Sequence, residues 1–204
     1  MTELPKIKTV GLTGMSGAGK STVCEVFEQA GFAVIDCDRC AHIVTMAGSA
    51  CVKELAKRLS PEIVNGDGSL NRRMTGRMIF ADLEKRRVFN KIVFPYIRYY
   101  VLTLIKTYAE AGQNVLLDAP TLFEAQVDGI CTHIVSVCAD KERCAERIML
   151  RDDISREDAL NRLNAQHDIE FFRSRSDIVI ENNSTLGEVR RAAQQAAERL
   201  KGEI

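Results

Sequence analysis

Gly14-Met15-Ser16-Gly17-Ala18-Gly19-Lys20-Ser21 fits the spacing G-x-x-x-x-G-K-[ST] of a phosphate-binding loop. The flanks give the stretch its weight. Upstream, Thr9-Val10-Gly11-Leu12-Thr13 is a short apolar run that reads as a buried strand. Downstream, Ser21 to Ala30 carries Val23, Val26 and Phe27 at helical spacing. A strand, a glycine turn and a helix N-terminus aim several backbone N–H groups at one point, and that point binds an anion such as a triphosphate. Gly14, Ser16, Gly17, Ala18, Gly19 and Thr22 form the cradle, Lys20 reaches the outer phosphates, and the Ser21 hydroxyl is placed to join a Mg²⁺ shell.

Working outward, strand signals recur at Thr9–Thr13, Phe32–Asp36, Asn114–Asp118, Ile134–Cys138 and Asp177–Glu181, with helical patterns between them. This alternation predicts an α/β, three-layer fold of the P-loop nucleoside-triphosphate hydrolase type. Its five-stranded parallel sheet is covered by helices on both faces. From Arg39 to Gly112 no convincing strand occurs. Helices are expected over Ala41–Leu59, Asn71–Ala81 and Glu84–Ala111, the last disturbed by Pro95. The expected organisation is a nucleotide-binding core over 1–38 and 113–204, with a helical acceptor-binding lobe at 39–112. A lid lies within the core at 143–166. That segment carries Arg143, Arg147, Arg151, Arg156 and Arg162, either as a solvated charged face or as a lid that brings arginines to phosphates. Leu186–Leu200 reads as an amphipathic helix.

Phosphoryl transfer also needs a base and a metal-holding carboxylate. Asp36 and Asp38 close the second strand and share a face if that strand persists. Asp38, further out, is then the candidate base, and capping the next helix is its other available role. Val115-Leu116-Leu117-Asp118 is an apolar strand ending in an aspartate suited to hold Mg²⁺, and Glu124 follows in the next loop. A structural role is open for both. Asn90-Lys91-Ile92-Val93 lacks the aspartate of a guanine-reading N-K-x-D, which favours adenine and hence ATP.

Composition narrows the classes. The 204 residues carry 28 basic and 28 acidic side chains, so no broad attraction to nucleic acid or to a membrane surface is expected. Met1 to Lys8 holds charges and no long apolar run, and no segment is apolar enough to span a bilayer. The expected location is the cytoplasm. The seven cysteines are expected reduced. Cys24, Cys131 and Cys138 read as core, and Cys37-Asp38-Arg39-Cys40 has no second C-x-x-C to complete a zinc site.

Several stretches together resemble the dephospho-CoA kinase family, over about Thr9 to Leu200. They are Gly11-Leu12-Thr13-Gly14 with Gly19-Lys20-Ser21-Thr22, Val34 to Asp38, and Asp67-Gly68-Ser69-Leu70-Asn71-Arg72 followed by Ile79-Phe80. Further on come Leu117-Asp118-Ala119-Pro120-Thr121-Leu122-Phe123-Glu124, Arg147 to Arg151, Gln166, and Asp177 to Asn183. The resemblance implies transfer of the ATP γ-phosphate to the ribose 3′-hydroxyl of dephospho-CoA, the last step of coenzyme A synthesis. It implies Asp38 as base, Lys20 and Ser21 at ATP and Mg²⁺, and Arg147 with Arg151 in the lid, Arg147 acting in catalysis. It puts Asn183 near adenine and makes residues 39–112 the dephospho-CoA lobe. The chain is expected as a monomer or small homo-oligomer. It departs from the family at Phe94-Pro95 (usually His-Pro), Thr121, Met15-Ser16 and Asn183-Ser184. Shikimate kinase is the nearest rival, but its glycine triplet is missing. A non-catalytic ATP-binding regulator is the alternative from another class.

Overall fold

A computed structural model describes residues 6–202. Most of the charged stretch Met1–Lys8, and the outer ends of the expected core segments, lie outside the described residues. The strands are β1 (Thr9–Gly14), β2 (Ala33–Asp36), β3 (Val115–Asp118), β4 (His133–Cys138) and β5 (Ile178–Glu181). The helices are α1 (Lys20–Gln29), α2 (Cys37–Val44), α3 (Ala50–Arg58), α4 (Arg72–Ala81) and α5 (Leu83–Glu110). After them come α6 (Lys141–Asp152), α7 (Arg156–Asn164), α8 (Ile169–Ser174) and α9 (Leu186–Gly202). Two compact units result, Asp36–Leu104 and the remainder, the second boundary falling inside α5.

The larger unit holds the sheet, in the order β2-β3-β1-β4-β5. The β1–β3, β1–β4 and β4–β5 pairs are parallel, with Leu12 opposite both Asp118 and Val135. Every residue of the central strand β1 is buried, Thr9 and Thr13 included, and none of them is charged. Fully buried Leu12, Phe27, Leu116 and Ile148 belong to the core around it. Burial of a side chain of this size stabilises by about 1.5–3 kcal/mol. From β1 the chain moves to one side of the sheet and after β3 to the other. Gly14, at the carboxyl end of β1, therefore lies where such sheets bind ligands. The five strands lie within one residue of the expected starts and ends.

The smaller unit is helical and corrects two expectations. The single helix expected over 41–59 is two. α2 stops at Val44, where the Thr45 hydroxyl donates back to the Ala41 carbonyl at 2.7 Å. Gly48 then turns the chain at φ +75°, and Ser49 caps α3 by accepting the Val52 N–H at 3.2 Å. Apolar periodicity ran through this break unchanged, so only the capping residues marked it. The second correction concerns the aspartates. β2 ends at Asp36, so Asp36 and Asp38 do not share a strand face. Asp36 is itself the cap, accepting the Arg39 N–H at 2.9 Å, and Asp38 sits exposed in the first turn of α2. Pro95 does not interrupt α5, which runs through it for 28 residues.

Asn71 caps α4 by accepting the Met74 N–H at 3.0 Å. Since this cap and that of α3 are single side-chain hydrogen bonds, Ser49→Ala should lower stability by about 1 kcal/mol. Urea unfolding checks this through a lower midpoint at unchanged slope.

Candidate active site

The loop between β1 and α1 is held by contacts made to its own backbone. The Lys20 ammonium bends over the loop and donates to the carbonyls of Gly14 (2.9 Å) and Met15 (3.2 Å). The Ser16 N–H donates to the carboxamide oxygen of Gln166 at 3.0 Å. Gly19 precedes α1 in the left-handed region, at φ 98°, and offers no side-chain cap. A Cβ at Gly19 would overlap the carboxamide nitrogen of Asn182, so both backbone and space require glycine. The first turn of α1 carries no acidic residue, and an uncapped helix start of this kind favours an anion.

A cavity of about 340 Å³ opens beside the loop, lined by Gly17, Gly19, Lys20, Ser21, Asp118, Pro120, Arg147 and Arg151. Three cations face one carboxylate there, a balance suited to a polyphosphate carrying a metal ion. The donor chemistry fits Mg²⁺. Ser21 and Asp118 offer one hydroxyl and one carboxylate, and among the described residues no cluster of His, Cys, Asp and Glu forms an all-protein cage. Mg²⁺ is commonly bound in this way, through one or two carboxylates and substrate phosphates.

The arginines separate by their partners. Arg147 donates to the Gly17 carbonyl and to both the carbonyl and the side-chain oxygen of Asn182, each at 3.2 Å. Its helix α6 is anchored in the core by Cys144, Ala145 and Ile148. Arg151 makes a two-pronged bond to Asp152, at 2.7 and 2.8 Å, and Arg162 from α7 meets the same carboxylate. These bonds, that of Arg151 foremost, hold the Asp152 carboxyl down at about 2. Arg156 pairs with Glu142, on the solvent side.

Other expected site residues stand elsewhere. Asn183 is not among the cavity-lining residues. Its side chain accepts the Asp140 N–H at 2.7 Å and donates to the Asp140 carboxylate at 2.9 Å. The neighbouring Asn182 is the residue sequence reasoning missed. It is 8% exposed and donates to the Ala18 carbonyl at 2.7 Å. Two asparagines in tandem after a strand gave no signal for choosing between them. Ser16 and Ala18 belong to the loop, and Thr22 follows Ser21 in the first turn of α1. Glu124 lies 3.6 Å from the His167 ring nitrogen, and His167 stacks on Phe171. All seven cysteines are free thiols. Burial raises the Cys131 thiol to about 12 and the Cys138 thiol to about 11. Among the described residues no helix is long and apolar enough to cross a membrane.

A glycine loop at the carboxyl end of the central parallel strand, with lysine, serine and arginines gathered at one cavity, places the chain among the P-loop kinases. The fold is shared with shikimate kinase from Bacteroides thetaiotaomicron (TM-score 0.54, 12% identity, 96% of this chain and 99% of that one). A Thermus thermophilus crystal structure superposes more closely, with TM-score 0.79 at 33% identity, over 95% of this chain and 98% of that one. A dephospho-CoA kinase from Listeria monocytogenes is 38% identical over 180 residues, 88% of this chain and 90% of that one. One from Arabidopsis thaliana is 35% identical over 184 residues, 90% and 79% of the respective chains. The sequence profile of dephospho-CoA kinases matches residues 8–188, and the chain belongs to that family.

Two outcomes follow from the geometry. Gly19→Ala should weaken ATP binding at least about tenfold in calorimetry, because the methyl group meets Asn182 and the backbone is left-handed. The Asp152 carboxyl should titrate near 2 in an NMR pH series and move up toward its ordinary 3.8 in Arg151→Ala. Because its folded value is depressed, its contribution to stability is present above about pH 4 and is lost as pH falls through about 2.

Proposed function

We propose that the chain transfers the γ-phosphoryl group of ATP to the 3′-hydroxyl of dephospho-CoA, giving ADP and coenzyme A. The observation that carries this reading is the cavity in which Lys20, Ser21, Arg147 and Arg151 converge beside the phosphate loop, in a chain whose residues 8–188 match the family. Loop amides and the α1 N-terminus bind the β- and γ-phosphates, and Lys20 turns from the carbonyls of Gly14 and Met15 toward them. Arg151, oriented by Asp152, neutralises charge that develops on the transferring group. Arg147 lies along the nucleotide, with Asn183 nearby toward the base.

Ser21 and Asp118 would hold Mg²⁺, which supplies charge neutralisation across the phosphates when bound. Asp38, exposed at the start of α2, accepts the proton of the 3′-hydroxyl as its oxygen bonds to the γ-phosphorus. The bond from that phosphorus to the β–γ bridging oxygen breaks, and the oxygen leaves with ADP. The helical segment 39–112 holds the acceptor, and 143–166 serves as the lid. The protein works in the cytoplasm, without nucleic acid or membrane partners, as a monomer or small homo-oligomer.

The test is ADP release with ATP and Mg²⁺ in the presence of dephospho-CoA, shikimate, AMP or no acceptor. ADP formed only with dephospho-CoA, alongside coenzyme A, is the expected result. Acceptor-independent or absent turnover from protein that binds ATP would sink the proposal. Asp38→Asn should lower kcat by about 10²- to 10⁴-fold while leaving ATP affinity within about twofold. Near-normal turnover would remove Asp38 from its role.

A further inference from the structure

Asn182 is a buried polar residue whose carboxamide nitrogen and oxygen are both engaged, the one with the phosphate loop and the other with the cavity-lining Arg147. It leaves the end of β5 with its own N–H bonded to the Cys138 carbonyl at 2.7 Å, which ties it to β4. Its carboxamide nitrogen donates to the Ala18 carbonyl inside the phosphate loop. Its carboxamide oxygen accepts from Arg147, and so does its backbone carbonyl. The remaining Arg147 bond goes to the Gly17 carbonyl, one residue before Ala18. Loop, arginine and asparagine thus close a small ring of hydrogen bonds beside the cavity. Two of the three acceptors that orient the guanidinium belong to Asn182.

We infer that Asn182 is a positioning residue for nucleotide binding: its carboxamide sets the Ala18 peptide of the phosphate loop and the Arg147 guanidinium in one arrangement, so that both meet ATP ready-placed. The inference rests on the proposal that ATP occupies this cavity. The chemistry allows few substitutes. The site needs one donor and one acceptor on a short stem, aimed in opposite directions, which a carboxamide supplies. Aspartate would set an oxygen against the Ala18 carbonyl. Glutamine would need room for another methylene where Gly19 already approaches the nitrogen so closely that no Cβ fits. Alanine would leave the buried Ala18 carbonyl without its donor and Arg147 without its side-chain acceptor, one of its three.

Calorimetric titration with ATP and Mg²⁺ tests this on the parent chain, Asn182→Ala, Asn182→Asp, Arg147→Ala and the double variant Asn182→Ala with Arg147→Ala. Each single replacement should weaken ATP binding at least about tenfold. The double variant should be no more than about threefold weaker than the weaker-binding single, because both act through one arrangement. The KM for dephospho-CoA should stay within about twofold of the parent value. A merely structural asparagine would lower the unfolding midpoint and leave the ATP affinity of the folded protein unchanged, which overturns the inference. Fully multiplicative effects in the double variant overturn it as well. If neither replacement of Asn182 folds, the parent decides: its Asn182 side-chain amide resonances should shift on adding ATP, and static resonances overturn the inference. A parent chain that binds no ATP overturns the functional proposal instead, a failure visible before any variant is made.

Discussion

The hydrogen bond from the Asn182 carboxamide to the Ala18 carbonyl, 2.7 Å long and buried, is the constraint on which the site depends. A phosphate loop must turn its N–H groups toward a ligand, which leaves its carbonyls pointing into the protein. A buried carbonyl without a donor is costly, so the protein has to supply donors from behind. Asn182 does so for Ala18, Arg147 for Gly17, and Lys20 for Gly14 and Met15. Each donor comes from a different element, and the parallel sheet aligns those elements at its carboxyl edge. The register of β4 against β1 sets Val137 beside Gly14. That contact is close enough that any Cβ on Gly14 would overlap the Val137 backbone.

The electrostatics follow from the same arrangement. Lys20, Arg147 and Arg151 concentrate positive charge at one cavity of a chain whose formal net charge is zero. Their carboxylate partners are disposed unequally. Arg151 has a full ionic partner in Asp152, which also binds Arg162, whereas Arg147 is held by neutral carbonyl and carboxamide oxygens. Neutral partners orient a guanidinium without cancelling its charge, so Arg147 keeps its attraction for an anion. The Asp152 pair is substantially solvated, and water screens it. The arginines that looked alike in sequence therefore differ by their surroundings.

Much of this was legible in the chain. Thr9–Thr13 lies on the central strand of the sheet, where every residue is buried and no charged side chain interrupts the pattern. Lys20 and Ser21 were legible because backbone geometry around glycines is local and the motif has fixed spacing. Failures came where the apolar or strand pattern ran on past capping residues that ended it. Apolar spacing continued across Thr45 to Ser49, and the break between α2 and α3 was set by Gly48 and the Ser49 cap. Asp36 and Asp38 looked like strand partners, until the chain turned into helix at Cys37 and made Asp36 the cap.

Asn182 and Asn183 mark the limit. Both follow an apolar strand and have the same side chain. Which one enters the phosphate loop depends on how β5 ends against β4 and on the space left by Gly19. The sequence by itself determined the five strands along the chain, the phosphate loop and the family, because periodicity, glycine conformation and motif spacing act over a few residues. Only the tertiary structure decided which donors satisfy the loop's carbonyls and which arginine stands on neutral partners. Arg147 and Asn182 lie 130 and 164 residues along the chain from the loop carbonyls they satisfy, and the parallel sheet brings them within hydrogen-bonding distance.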